Sequence, residues 1–267
     1  MLLSEEVFLR ETVREIKKAI LGAKRVFFFT GAGVSTESGL PDYRGGAGSA
    51  KTPIWSRREP FDFNTFKRSK DARREYWEFY VDFAKDLRSC SGPNITHRMI
   101  SSLSTDERQV IVVTQNIDGL HQLAGSNNVI EIHGNCRQVS CINCKPGKLK
   151  KLCISDAVKM FESGGVDVMT CEFCRKPLKP NTISFGQEVD KNLIISSRQT
   201  AFQSDIVVSM GTTLKVTPAA DIPAAAALAE IPYAIVTKGP TDHDTIPFVT
   251  WRADCDLCEF WRIWESV

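Results

Sequence analysis

The sequence predicts an α/β fold: a Rossmann-like parallel sheet domain with a smaller zinc-binding domain formed by insertions. Three observations carry this. Short, wholly apolar runs alternate with helix-like stretches through most of the 267 residues, the pattern of strands covered on both faces. The first of these runs opens at once into a loop with two close glycines. Two Cys-x2-Cys pairs then interrupt the alternation.

In chain order, Ser4 to Leu21 reads as an amphipathic helix, with Val13, Ile16 and Ile20 on one face and Gly22 as a stop. Arg25–Thr30 (RVFFFT) reads as a buried strand, followed by Gly31-Ala32-Gly33-Val34-Ser35. Further strands are expected at Gln109–Thr114, Val129–Ile132, Asp205–Met210 and Pro232–Thr237, with a helix over Pro218–Glu230 whose Pro223 falls near its start or kinks it. Asp42 to Cys90 breaks the rhythm with a Gly-rich loop (RGGAGSA) and a charged, aromatic stretch. Cys136 to Pro180 breaks it again, basic, rich in Cys and poor in strand signal. The expected division is therefore 1–41, 91–135 and 181–267 for the nucleotide-binding domain, and 42–90 with 136–180 for the small one.

Composition sets the outer limits. Hydrophobic residues at 42% and charged residues at 25% are ordinary for a globular chain. A net charge of +2 is too balanced to argue for nucleic acid or an anionic membrane as partner. No apolar run reaches the roughly 20 residues of a membrane helix. The first residues mix acids and bases rather than forming a secretory signal. The expectation is an intracellular, cytoplasmic protein. Nine cysteines are an odd number for a disulfide framework.

Cys141, Cys144, Cys171 and Cys174 form two Cys-x2-Cys knuckles, and such a pair of hairpins can set four thiolates tetrahedrally about one Zn²⁺. Four thiolates leave no open position, so this zinc is expected to be structural. Cys255 and Cys258 share the spacing but open an amphipathic stretch, where packing is the expected role.

In parallel sheets, functional groups gather at the carboxyl ends of strands. Gly31 and Gly33 follow one expected strand, with Pro41-Asp42-Tyr43-Arg44 close behind. Gln115-Asn116-Ile117-Asp118, His133-Gly134, Gly211-Thr212-Thr213 and Thr237 end four others. Strand, Gly-x-Gly and helix-like segment is an arrangement that lets backbone N–H groups approach a pyrophosphate, although a plain turn explains two glycines as well. His133, one of four histidines, has the placement of a reacting group.

Together these pieces resemble the sirtuin family of NAD-dependent protein lysine deacylases. The matching motifs are GAGVS at 31–35, GLPDYR at 39–44, TQNIDGLH at 114–121, His133-Gly134, the four-Cys module, Phe185-Gly186, Gly211-Thr212-Thr213-Leu214 and Asp254-Cys255-Asp256. The resemblance implies NAD as co-substrate, one structural zinc and an acyl-lysine protein or peptide as partner. It implies that Gly31, Ala32, Gly33, Ser35, Asp42, Tyr43 and Arg44 shape the cofactor loop, that Asn116, Ile117 and Asp118 form the nicotinamide pocket, and that Gln115 reaches the adjoining ribose. Gly211, Thr212, Thr213, Thr237 and the backbone near Cys255 would hold the adenosine half. Ser184, Phe185, Gly186 and Gln187 would pair in β fashion with the acyl-lysine peptide. His133 would be the general base, with Asn116 and Asp118 beside it, and the acyl group would pass to ADP-ribose with release of nicotinamide.

The chain departs from the family pattern in four places. Thr237-Lys238 stands where an Asn is common, Tyr43 where a Phe is common, and Gln187 where a Glu is frequent. Tyr80 matches the tyrosine of relatives that prefer acidic acyl groups, but Phe83 stands where those carry Arg, so succinyl- and malonyl-lysine are expected to be disfavoured. The same pocket would also suit protein ADP-ribosyl transfer or NAD hydrolysis. A zinc-ribbon nucleic-acid binder, suggested by Lys145, Lys148, Lys150 and Lys151, is the non-enzymatic alternative. The sequence carries no signal of oligomeric state.

Overall fold

The computed structural model describes residues 2–45, 51–144 and 152–267. Most of the Gly-rich loop and the lysine run at 145–151 lie outside the described residues. Helix α1 (Leu2–Gly22) leads into β1 (Arg25–Thr30), then two single 3-10 turns, and then α2 (Ile54–Arg57), α3 (Phe63–Arg68), α4 (Lys70–Ser89) and α5 (Ile95–Ser102). Next come β2 (Gln109–Thr114), α6 (Leu120–Leu123), β3 (Val129–Glu131), β4 (Gly134–Cys141), β5 (Leu152–Cys153), α7 (Ile154–Val168) and β6 (Leu178–Thr182). The chain closes with α8 (Lys191–Phe202), β7 (Ile206–Met210), α9 (Asp221–Leu228), β8 (Tyr233–Val236), β9 (Trp251–Ala253) and α10 (Leu257–Ser266).

Six strands form one all-parallel sheet in the order β3-β2-β1-β7-β8-β9. This is the doubly wound order, and its connections reverse direction between β1 and β7. The apolar runs explain the two cores. Side chains alternate across a strand, so Val26 and Phe28 of β1 join α1, α5 and α10 on one face. Phe27 and Phe29 join α8 and α9 on the other. The α1 stripe is as expected, with Val13, Ile16 and Ile20 all fully buried. Pro223 is the third residue of α9, where its missing N–H costs the helix nothing.

The stretch 136–180 holds more strand than its sequence suggests. β5, β4 and β6 form a three-stranded antiparallel sheet. Its strands are short, β4 shifts register between Gly134 and Val139, and β6 carries Pro180, so no clean alternation marks them. One apolar cluster joins Phe66, Tyr76, Trp77, Tyr80 and Phe83 to Val139, Cys141, Ala157 and Leu178. Helix α4 thus packs on the small sheet rather than on the large one.

His133 stands where the two sheets meet. β3 ends at Glu131, β4 begins at Gly134, and the two residues between them link the sheets. Gly134 has φ +74°, and a Cβ there would lie 1.9 Å from the Asn181 carbonyl oxygen. Only glycine allows β4 and β6 to close so near this turn.

Candidate active site

The reversal of strand order opens a crevice at the carboxyl ends of β1 and β7, as the doubly wound topology requires. The loops after these strands touch closely. A Cβ on Gly31 would meet Thr212 Cβ at 2.7 Å, and one on Gly33 would meet the Gly211 carbonyl oxygen at 2.8 Å. The Gly31 amide donates to Met210 O at 3.1 Å and the Gly33 amide to Gly211 O at 2.9 Å. These two N–H groups are therefore used within the chain. The glycines bring two backbones together at the switch point, which differs from the anion-facing amides expected from the sequence.

A cavity of about 960 Å³ runs from this switch point to the small sheet. Its wall includes Gly31, Ala32, Gly33, Asp42, Tyr43, Arg44, Gln115, Asn116, Ile117, His133, Gly211, Thr212, Thr213, Thr237 and Cys255. Ser184 to Gln187 also line it. Ser35 and Asp118 are not on the wall but directly behind it. Asn116 Nδ2 donates to Gly31 O and to Ser35 Oγ, each at 3.1 Å, and Ser35 Oγ donates to Asp118 Oδ2 at 2.8 Å. Asp118 Oδ1 accepts the amide of Leu120, the first residue of the short helix α6, at 2.9 Å. Burial pushes the Asp118 carboxyl above its ordinary range, while these donors work in the opposite direction.

His133 Nδ1 lies 3.2 Å from the carbonyl oxygen of Gln115. A carbonyl only accepts, so Nδ1 carries the proton and Nε2 is left as the ring's acceptor. Burial lowers the His133 pKa and the Gln115 carbonyl partly offsets this, so the ring is neutral near pH 7. Gln115 is held in turn by its Nε2, which donates to Thr212 Oγ1 at 2.9 Å. One hydrogen-bonded line thus ties the ends of β2 and β7 to the imidazole.

The peptide-facing segment differs in one detail from expectation. The Phe185 amide donates to Phe61 O at 3.1 Å, and its carbonyl accepts the Phe63 amide at 2.8 Å. Phe185 is therefore already paired within the chain, while Gly186 (φ +71°) turns the backbone away from that pairing. Several wall residues escaped sequence reasoning, among them Trp55, Arg58, Phe61, Thr182 and Arg198. Trp55 lies 5.4 Å from Tyr43 and 5.6 Å from Phe185 between ring centroids, and the Arg44 guanidinium sits 4.2 Å above it. The aromatic density of 53–66 was the available signal.

The remaining histidines pack inside. His121, on α6, places Nε2 3.0 Å from Thr30 Oγ1, and its ring centroid is 4.8 Å from that of His97. Cys136 is buried and its thiol is pushed up to about 12, so it packs as an apolar group, whereas Cys153 is exposed. Cys255 is buried and Cys258 exposed, their thiols raised to about 12 and about 11, first by burial and then by nearby acids.

The four knuckle cysteines gather at one point of the small sheet. Cys141 Sγ is 3.4 Å from Cys174 Sγ, Cys144 Sγ is 3.5 Å from Cys174 Sγ and 3.8 Å from Cys171 Sγ, and all four lie within 4.8 Å of one another. Thiolates about 2.3 Å from a tetrahedral zinc stand about 3.8 Å apart, so the donor set and its spacing fit that ion.

Fold and site together define a Rossmann-type nucleotide-binding protein with an imidazole at its switch point and a four-cysteine module beside the cleft. Comparison with known proteins gives the family. Residues 31–218 match the model of the Sir2 family. A protein of Rhodopseudomonas palustris, named an NAD-dependent protein deacetylase, is 35% identical over 250 residues, covering 91% of this chain and 92% of its own. One of Sulfolobus acidocaldarius with the same name is 36% identical over 219 residues, covering 81% of this chain and 80% of its own. Among solved structures, a complex described as Sir2, p53 peptide and NAD+ superposes with a TM-score of 0.78 at 29% identity, covering 95% of this chain and 97% of that one. A Sir2 structure bound to a propionylated peptide gives 0.79 at 28% identity, covering 95% and 97%. The chain belongs to the Sir2 family.

Proposed function

We propose that this protein is an NAD-dependent protein lysine deacylase that transfers the acyl group to ADP-ribose and releases nicotinamide. The observation that carries the reading is the His133 ring, fixed by Gln115 O with Nε2 as acceptor, on the wall of the cavity that also holds Asn116, Ile117 and Gly31. The names of the curated relatives and the ligands of the solved neighbours support it.

Bound NAD supplies an electrophilic ribosyl carbon with nicotinamide as its leaving group. The chain's part is placement, exclusion of water and one proton. Asn116, held by Gly31 O and Ser35 Oγ, presents the pocket for the nicotinamide end, with Asp118 orienting it from behind. Gln115 and Thr212, bonded to each other, stand at the ribose, and Gly211, Thr213, Thr237 and the Cys255 backbone line the adenosine end. His133 accepts a proton at Nε2, and the Gln115 carbonyl stabilises the imidazolium that results. The Tyr43, Trp55 and Phe185 rings roof the cavity and keep water from the reacting carbon. Cys141, Cys144, Cys171 and Cys174 would hold a zinc ion as a cross-link, the four thiolates leaving no open position for chemistry.

The peptide would add along Ser184–Gln187, beyond the Phe185 groups that the chain itself engages. We also propose the two-domain division at 1–41, 91–135 and 181–267 against 42–90 and 136–180, supported by the cluster that α4 shares with the small sheet. No helix among the described residues is long and apolar enough to cross a membrane.

Product analysis after incubation with NAD and an acetyl-lysine peptide tests the proposal. The expected products are deacetylated peptide, nicotinamide and O-acetyl-ADP-ribose in equal amounts. ADP-ribose alone, or ADP-ribosylated protein without deacylation, would overturn it.

A further inference from the structure

Thr237 and Lys238 follow β8, Cys255 and Asp256 follow β9, and all four line the cavity. One arginine ties these two segments together. Arg252 is the middle residue of β9, the edge strand that pairs with β8. Trp251 and Ala253, on either side of it, pack into the core shared with α1 and α10, so the alternation of the strand turns Arg252 to the opposite face. Its side chain is 23% exposed and stands behind the cavity wall without forming part of it.

The guanidinium has four of its five donors engaged. Nη1 donates to Thr237 O at 2.8 Å and to Ala253 O at 2.9 Å, and Nη2 donates to Gly239 O. Nε donates to Asp244 Oδ1 at 2.9 Å, and a carboxylate oxygen of Asp254 lies 4.0 Å from Nη2. Asp244 in turn accepts the Thr241 amide at 2.8 Å and the Thr241 hydroxyl at 2.7 Å. Two further bonds close the frame. The Gly239 amide donates to Asp254 Oδ1 at 2.8 Å, and the Asp242 amide donates to Thr213 O at 3.1 Å. Thr213 is itself on the wall.

The turn at 237–244 has little to hold it otherwise. Gly239 has φ +81° and nothing within 4 Å of its Cβ position, so the backbone there is free to move. Three carbonyls bound to one planar guanidinium fix both the distance and the angle between the turn and the end of β9. Bonds to a charged donor are also about twice as strong as neutral ones. Thr237 makes this framing matter to the cavity. Its side chain is short, so where its hydroxyl stands depends on the backbone, and the guanidinium holds that backbone by the Thr237 carbonyl.

We propose that Arg252 is a positioning residue for NAD. It keeps the turn after β8 and the segment after β9 at the spacing that the adenosine half of the dinucleotide requires, and so sets the affinity for NAD without touching the reacting atoms. The proposal rests on the NAD-dependent reading above.

The test measures kcat and KM for NAD with a saturating acetyl-lysine peptide. It also measures the binding of ADP-ribose, which keeps the adenosine half of NAD and lacks nicotinamide, by titration calorimetry. Arg252→Met should raise the KM for NAD and the Kd for ADP-ribose at least tenfold, with kcat at saturating NAD within threefold of wild type and the KM for the peptide unchanged. Arg252→Lys, which keeps the charge but not the fork, should recover part of both losses. Asp244→Asn, which leaves the carbonyl bonds in place, should raise both constants by a few-fold, and it stands in if the Met variant does not fold. Constants within twofold of wild type in the variant that stands for the test overturn the inference, as does a fall in kcat that matches the rise in KM. A wild type that neither binds ADP-ribose nor consumes NAD overturns the NAD-dependent reading instead.

Discussion

Gly33→Ala isolates the contact that brings the two halves of the cleft together. The added carbon would stand 2.8 Å from Gly211 O, 2.9 Å from Gly211 Cα and 3.1 Å from the Gly211 carbonyl carbon. Carbon contacts normally settle at about 3.5–4.0 Å, so one backbone must retreat by about half an ångström or more. Neither side has slack, because Gly211 itself has φ +60° and its own Cβ position is only 2.6 Å from the Val34 nitrogen. The retreat also stretches the 2.9 Å bond from the Gly33 amide to Gly211 O. Overpacking of this kind costs about 1–3 kcal/mol, and a weakened hydrogen bond adds about 1 kcal/mol. Urea unfolding should show a loss of about 2–4 kcal/mol, and the KM for NAD should rise because Gly31, Gly33 and Gly211 share one wall. Gly39→Ala is the comparison. Gly39 has φ +86° but nothing within 4 Å of its Cβ position, so only the backbone strain of about 1 kcal/mol applies. A Gly33→Ala protein as stable as wild type, or less affected than Gly39→Ala, would refute the argument.

Removing zinc by chelation, or replacing Cys171 with Ser, should abolish a metal content of one zinc per chain and expose 136–180 to limited proteolysis. Unchanged proteolysis in the metal-free protein would contradict a structural role. Asp118 has a raised folded-state pKa, so ionisation penalises the native protein as pH rises past its ordinary 3.8. Relative to wild type, Asp118→Asn should therefore gain stability between pH 4 and 7, read from urea midpoints, while NAD-dependent turnover falls. His97 and His121 are held neutral by burial, at about 4 and about 3. Their contribution is complete above the ordinary 6.5 and is lost as pH falls through it. At roughly 1.4 kcal/mol per unit, the loss reaches a few kcal/mol by pH 4.5. His121→Gln should show a clearly smaller loss over the same range.

The strands β1, β2, β7 and β8 were legible because each is buried on both faces and reads as an unbroken apolar run. From them followed the rim of strand ends where Asn116, His133 and Thr212 gather, whereas the strand order and its switch point came only with the fold. The small sheet was not legible, since short, bulged, proline-bearing strands leave no period to read. The cysteine spacing spoke where the strands did not, because a tetrahedral ion needs four donors on two knuckles whatever the surrounding structure. The spacing of the first loop's glycines suits an approach to a phosphate or a plain turn alike, and only the packing shows that their amides serve Met210 and Gly211.

The proposed reaction requires a neutral His133, fixed by Gln115 O, to take the proton in a cleft built at the β1–β7 switch point. The most direct measurement is NAD-dependent deacetylation of an acetyl-lysine peptide by the wild type and by His133→Ala, with both proteins shown to unfold at the same urea concentration. The variant should lose about 10²–10⁴-fold in turnover, the range a general base supplies. Turnover within a few-fold of wild type would contradict the claim.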